Sequence, residues 1–294
     1  ESFSFEKMLA SVAGGLNTAA RKPNIYQYQP PVKQLLFPVS HPKGQPTVGG
    51  NRSGKTTGGI VEDLWWAMGN HPFRKTPEPP ITGRICTVDF KNGVDKFILP
   101  NLKQWLPVSA MINGSWEDSY NSSKHILTLT NDSEIEIMSY EQDLEKFAGV
   151  PRHFIHFDEE PPKNIFGECK ARLVDYRGSW WMTMTPVDGM TWTYEEIFEP
   201  AINGTDPLID VIIADMADNP HIDKDEISDF LSGLDDEERI IRGSGRYIAI
   251  GGLVFKFFNS EIHVIDPVIP KGWTIYESLD HGFNNPTAWL WHAV

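Results

Sequence analysis

Two cysteines, Cys86 and Cys169, make up the whole thiol inventory of this 294-residue chain. They are too few and too far apart for a disulfide framework or a zinc knuckle, which fits a reducing compartment. Long apolar runs are missing as well. No uninterrupted stretch approaches the roughly 18–20 residues of a membrane span, and the first residues lack a charged-then-apolar signal pattern. The expectation is an intracellular protein with no membrane partner. Internal repeats and low-complexity tracts are absent. Basic residues are in deficit, with 26 Lys and Arg against 40 Asp and Glu and a net charge of -14. That balance argues against wrapping nucleic acid, because phosphate binding rests on clustered lysine and arginine. Net charge is not local charge, however. Much of the acid sits in "DKDEISDFLSGLDDEE" from Asp223 to Glu238, which reads as a solvated helical face and leaves DNA contact by a smaller basic patch open.

What is plentiful is apolar surface. Hydrophobic residues are 40% and aromatics 12% of the chain, enough for one large core, or one core plus part of a second. Proline-rich "YQYQPPVKQLLFPVSHPKGQP" at 26–46 predicts a fixed loop. A helix is expected over about 56–69, a buried strand over 84–90 and a helix over 94–106. "KHILTLT" and "SEIEIMSY" alternate apolar and polar residues around Asn131-Asp132, which predicts a hairpin. "HFIHFDEE" (153–160), "GSWWMTMTP" (178–186) and "LIDVIIADM" (208–216) read as buried strands. Helical stretches at 163–174 and 193–202 alternate with them. Such alternation implies an α/β fold with a mostly parallel sheet and crossover helices. A helix-turn-helix-like piece at 223–243 and a β-rich run from about 247 complete the pass.

"GGNRSGKT" satisfies the GxxxxGKT pattern through Gly49, Gly54, Lys55 and Thr56. In that geometry backbone N–H groups of Gly49, Gly50, Asn51, Arg52, Ser53, Gly54 and the helix start to Thr57 cradle phosphates. Lys55 reaches the β/γ-phosphates and the Thr56 hydroxyl ligates Mg²⁺. Gly58 and Gly59 weaken the helix start by about 1 kcal/mol each. ATP hydrolysis at such a loop also needs a strand ending in an acid, and a carboxylate that polarises water. "HFIHFDEE" offers Asp158 for Mg²⁺ and Glu159 as the base. A small-molecule kinase, by contrast, must keep water out. His153 and His156, three apart on a strand, face opposite sides and cannot converge on one ion; both read as structural. Arg52, inside the loop, could meet γ-phosphate charge. Arg152, just before the Asp158 strand, could reach a neighbouring subunit's nucleotide as an arginine finger.

With the phosphate loop, "FIHFDEEPP" and "WWMTMTP" in this order, the chain resembles the large terminase subunits of tailed bacteriophages, ATPases that pump DNA into a capsid. The resemblance runs from about residue 26 onward. It implies an adenine-side glutamine in "YQPPVKQLLF", best matched by Gln34 and next by Gln29, and a coupling motif in "TMTP" that gives Thr183 and Thr185 the sensing of the γ-phosphate. "DNPHIDKDEISDFLSGLDDEERIIRGSGRYIAIGGLVFKFF" is similar to the family's lid or linker. "WTIYESLDHGFNNPTAWLWHAV" looks like the opening hairpin of its RNase H-like nuclease, with Asp280 as the first metal-binding acid. His156 and Met184 depart from the usual motif residues.

The expected organisation is an N-terminal arm (1–25), a RecA/ASCE-like P-loop NTPase core (26–216) with a mostly parallel sheet and flanking helices, a small lid or linker (217–272), and the start of an RNase H-like domain (273–294). Because the sequence ends at Val294, before the further carboxylates of a two-metal site, no DNA cleavage is expected of it. By the same resemblance the cofactors are ATP and Mg²⁺. The partners are double-stranded DNA, a small terminase subunit, a portal protein and further copies of the chain in a ring, in the host cytoplasm. A helicase or repair ATPase, a nucleotide-binding docking protein and a small-molecule kinase stand as alternatives. Loss of function on changing Glu159 would separate a motor from a docking role.

Overall fold

The computed structural model describes residues 24–29, 43–248, 263, 268–282 and 287–294. It divides into two compact units, Glu1–Ile250 and Gly251–Val294. The N-terminal arm, except Asn24 and Ile25, and Gln34 lie outside the described residues.

In the first unit, strand β1 (Gly44–Gly49) is buried throughout and leads through the glycine loop into helix α1 (Lys55–Met68). Gly54 and Gly69 bracket that helix with φ of 86° and 67°, left-handed conformations that cost glycine little. Strand β2 (Thr82–Thr87) follows. It ends earlier than the expected 84–90, because Asp89 caps a new helical segment, accepting from the Asn92 amide. That segment, Phe90–Ile98, winds with wide turns into α2 (Leu99–Trp105). The short α3 (Trp116–Ser119) precedes β3 (Tyr120–Asn121), β4 (Ile126–Thr128) and β5 (Glu134–Ser139). β4 and β5 pair antiparallel around Asn131-Asp132, the hairpin the alternation predicts. Then come β6 (Phe154–Asp158), α4 (Lys163–Ala171), β7 (Ser179–Met184), the short α5 (Glu199–Ile202) and β8 (Ile212–Ala214). Helices α6 (Lys224–Ser232) and α7 (Asp236–Ser244) form the acidic helical pair.

The eight strands make one sheet in the order β3-β4-β5-β2-β6-β7-β1-β8. All pairings from β5 to β8 are parallel. The result is the mixed, mostly parallel α/β sheet the sequence implies, with β7 between the glycine-loop strand and the acid strand. Side-chain alternation sorts the core into two layers. Phe154 and Trp181 face the α1 side with Ile60, Leu64 and Ile85. Ile155, Phe157, Trp180 and Met182 face the other side with Ile165, Phe166 and Leu173 around α4. Alternation also sends His156 and Asp158 to the α1 side with Phe154, and Thr183 there with Trp181. Since β1, β2, β6, β7 and β8 run the same way, Gly49, Thr87, Asp158, Thr185 and Ala214 meet along one edge. In open α/β sheets that carboxyl edge is where ligands bind.

The second unit contains an antiparallel hairpin of β9 (Ile275–Asp280) and β10 (Ala288–Ala293), with Asp280 opposite Ala288. Trp289 and Trp291 stack on it with centroids 5.1 Å apart. No helix among the described residues is long and apolar enough to cross a membrane.

Candidate nucleotide and metal site

The loop after β1 turns on Arg52, whose φ is 56°, and on Gly54. Its first two amides are already used. Gly50 donates its N–H to the Ala214 carbonyl at 2.9 Å, and Asn51 donates to the Arg242 carbonyl at 2.7 Å. In this structure the Gly50 and Asn51 amides, expected to face phosphate, tie the loop to β8 and to the C-terminal end of α7. Donors for an anion stand at the start of α1, from Gly54 to Thr57, where a helix leaves its amides without intrahelical partners. Gly58 donates to the Gly54 carbonyl at 3.0 Å, closing the first turn. The Thr57 hydroxyl instead donates to Asn101 at 3.3 Å. Lys55 is buried, its ammonium 3.5 Å from the Gly50 carbonyl. Arg52 is exposed at the loop tip, and its carbonyl accepts from the Asn219 amide at 2.7 Å.

Asp158 is the hub of the strand edge. One carboxylate oxygen, Oδ1, accepts the hydroxyls of Thr56 and Thr183, each at 3.0 Å. The other, Oδ2, accepts the Thr87 hydroxyl at 3.2 Å. Among the described residues no cluster of three or more His, Cys, Asp or Glu could hold a metal. A divalent cation here could take the Thr56 hydroxyl and the Asp158 carboxylate from the protein. That small set of hard oxygen donors fits Mg²⁺, which takes one or two protein ligands and fills its sphere with water and phosphate.

Glu159 sits beyond the strand end in a left-handed conformation, φ 62°. Its amide donates to the Thr183 carbonyl at 2.9 Å, and its carboxylate accepts the Thr185 amide at 3.0 Å. The Thr185 hydroxyl donates to the Gly49 carbonyl at 2.9 Å, joining the acid to the start of the glycine loop. Burial raises the Glu159 pKa to about 7; Asp158 adds to the rise, while Lys55 opposes it. A carboxyl held there can accept a proton near neutrality. The Tyr140 hydroxyl lies within 3.2 Å of the Cys86, Asp158 and Glu159 carbonyls and pins this turn to β2.

Arg152 lies at the opposite end of β6. It is buried and paired with Glu136, which also binds Arg84. The arginine-finger expectation is therefore corrected: this guanidinium is spent inside the subunit, a strand's length from Asp158. His153, as expected, is apart from His156; its ring accepts the Thr82 amide at 3.0 Å and stacks on Tyr176. Gln29 is exposed. A pocket of about 270 Å³ near His71 and Arg74 lies beyond the far end of α1.

Three contributors were missed in the sequence. Thr87 ends β2 beside Asp158, Tyr140 follows β5, and Asp63 on α1 contacts His156. Only Asp63 left a readable sign: it lies four residues after Gly59, on the same helix face.

Fold and site together define a P-loop NTPase fold of the α/β class. No family model matches the chain. In sequence it is similar to the terminase large subunit of Salmonella phage P22, 24% identical over 149 residues, which cover 51% of this chain and 29% of that protein. Its fold is that of two large terminases. One is from the thermophilic bacteriophage D6E, with TM-score 0.64, 17% identity, 90% of this chain and 65% of that one; the same protein has been solved with ADP. The other is the ATPase domain of Thermus phage P74-26, in a mutant form, with TM-score 0.58, 15% identity, 76% of this chain and 96% of that one. The likeness to tailed-phage large terminases read from the motifs is thus present in both sequence and fold.

Proposed function

We propose that the chain is the ATP-hydrolysing motor part of a phage DNA-packaging terminase, coupling Mg²⁺-dependent ATP hydrolysis to translocation of double-stranded DNA into a procapsid. The observation that carries the reading is the single linked edge of Thr56, Asp158, Glu159, Thr183 and Thr185. Amides at the start of α1 and the Lys55 ammonium would bind the phosphates. Thr56 and Asp158 would hold Mg²⁺, whose charge neutralises the phosphate oxygens. Glu159 would take the proton of the attacking water, aimed by the Thr185 amide. Thr183 and Thr185, bonded to both acids and to Gly49, would relay the γ-phosphate state. Arg52, exposed on the loop, would face γ-phosphate charge, and Gln34 would select adenine.

The helical pair from Lys224 to Ser244 would serve as the lid, with Asp280 as the first metal-binding acid of the nuclease in the longer protein. A small terminase subunit, a portal protein and a ring of copies would be its partners in the host cytoplasm. The test is Mg²⁺-dependent ATP hydrolysis by the chain beside Lys55→Ala and Glu159→Ala, with and without linear double-stranded DNA. Loss of turnover in both, with ATP still bound by Glu159→Ala and stimulation by DNA in the parent, supports the motor. Tight ATP binding whose weak hydrolysis is indifferent to Glu159 would leave a docking role instead.

A further inference from the structure

Behind Asp158 lies a line of buried polar groups that leaves little freedom in where their protons sit. Trp181 donates its indole N–H to Asp63 Oδ1 at 3.0 Å. Asp63 Oδ2 is 2.8 Å from His156 Nδ1, and His156 Nε2 is 2.8 Å from the Thr183 hydroxyl oxygen. Thr183 is in turn 3.0 Å from Asp158 Oδ1. All five residues are buried. An ionised carboxylate only accepts, so Thr183 gives its one proton to Asp158 and must accept from His156 Nε2–H. His156 Nδ1 and Asp63 Oδ2 then share a proton between them, with the indole holding the other Asp63 oxygen.

The helix above is cut to fit this ring. A β-carbon on Gly59 would stand 2.5 Å from His156 Cε1 and 2.9 Å from Thr183 Cγ2. Gly59 therefore vacates the space that the imidazole and the threonine occupy, and Asp63, one turn along the same face, closes the line from behind.

We propose that His156 is a positioning residue: through its Nε2–H it fixes the Thr183 hydroxyl so that Asp158 Oδ1 keeps one permanent donor when the Thr56 hydroxyl turns away to a metal-bound nucleotide. Thr183 also holds the Glu159 amide through its carbonyl, so one imidazole steadies the strand position that supports both acids. This rests on the ATPase reading of the same site.

The test separates the two ring nitrogens. Asparagine at 156 reaches about as far as Nδ1, keeping a donor for Asp63 but none for Thr183. Glutamine reaches about as far as Nε2 and does the opposite. In the full chain, His156→Asn is expected to lower kcat and the Mg²⁺-dependent gain in affinity for a fluorescent ADP by about 10- to 100-fold, the usual loss when a residue supporting a metal ligand is removed. ADP affinity in EDTA should stay as in the parent. His156→Gln should restore most of the loss, and Thr183→Val added to His156→Asn should cost little more. The proposal is overturned if asparagine is as active as the parent, if glutamine loses as much as asparagine, or if the losses of His156→Asn and Thr183→Val multiply. A parent that neither binds nor hydrolyses nucleotide would sink the ATPase reading first, and that outcome is visible without any variant.

Discussion

Thr185 gives its backbone N–H to the Glu159 carboxylate at 3.0 Å. The same residue gives its hydroxyl to Gly49 at the mouth of the glycine loop. A single residue past β7 thus holds both the Glu159 carboxylate and the start of the glycine loop. Glu159→Gln keeps an oxygen for the Thr185 amide but cannot take a proton. Turnover is expected to fall by about 10²–10⁴-fold, the usual contribution of a general base, with ATP affinity unchanged. Single-turnover hydrolysis beside equilibrium binding checks this; a matching loss of binding would count against Glu159 as the base.

Neighbouring glycines in α1 should respond with opposite sign. Among the described residues a β-carbon on Gly58 meets only the Tyr28 hydroxyl, at 3.8 Å, whereas one on Gly59 runs into the His156 ring. Gly58→Ala should stabilise by about 0.5–1 kcal/mol through helix propensity. Gly59→Ala should destabilise by about 1–3 kcal/mol through overpacking. Thermal melts of the two variants decide it, and equal shifts would contradict the packing described.

Arg152→Ala should lower stability by about 1.5–3 kcal/mol, the range for a hydrogen bond to a charged group, because Glu136 loses one of its two arginines. ATP turnover per folded molecule should not change, even where copies assemble. A loss of turnover confined to mixed assemblies would restore the arginine-finger role.

Acid should unfold the protein partly through Glu62. This carboxylate is fully buried and bound by His71 and Arg74. Burial alone would raise its pKa, but those partners outweigh burial and hold it below its usual 4.5. Between that lowered value and 4.5 the unfolded chain binds the proton that the folded chain refuses. Stability from this group is therefore full above about pH 4.5 and is lost as the pH falls through the folded value. Urea melts from pH 7 to pH 3 should show a shallower acid limb for Glu62→Gln than for the parent, on top of a general loss from removing the charge that His71 and Arg74 bind.

Much of the architecture was legible because it follows from local chemistry. The glycine loop needs left-handed positions and a helix start, so "GGNRSGKT" announces both. A buried apolar run places a strand before Asp158, period-two runs place a hairpin at Asn131-Asp132, and alternating elements call for a parallel sheet. Local pattern also marked Asp158 and Glu159 at the end of a strand, and the resemblance to large terminases marked Thr183 and Thr185. What it could not supply was the pairing of side chains distant in the chain. Asp63 and His156 are 93 residues apart and meet only because β6 lies beneath α1. Arg152 looked available beside an acid strand, yet strand direction puts it at the wrong end, against Glu136. Nor could local pattern name Ala214 of β8 and Arg242 of α7 as the partners of the Gly50 and Asn51 amides. Sequence by itself determined the elements, the loop and the acids, because those depend on residues a few positions apart. Only the tertiary structure decided which donor meets which acceptor, because a buried hydrogen bond needs two groups within about 3 Å and only the packed sheet and helices set that distance.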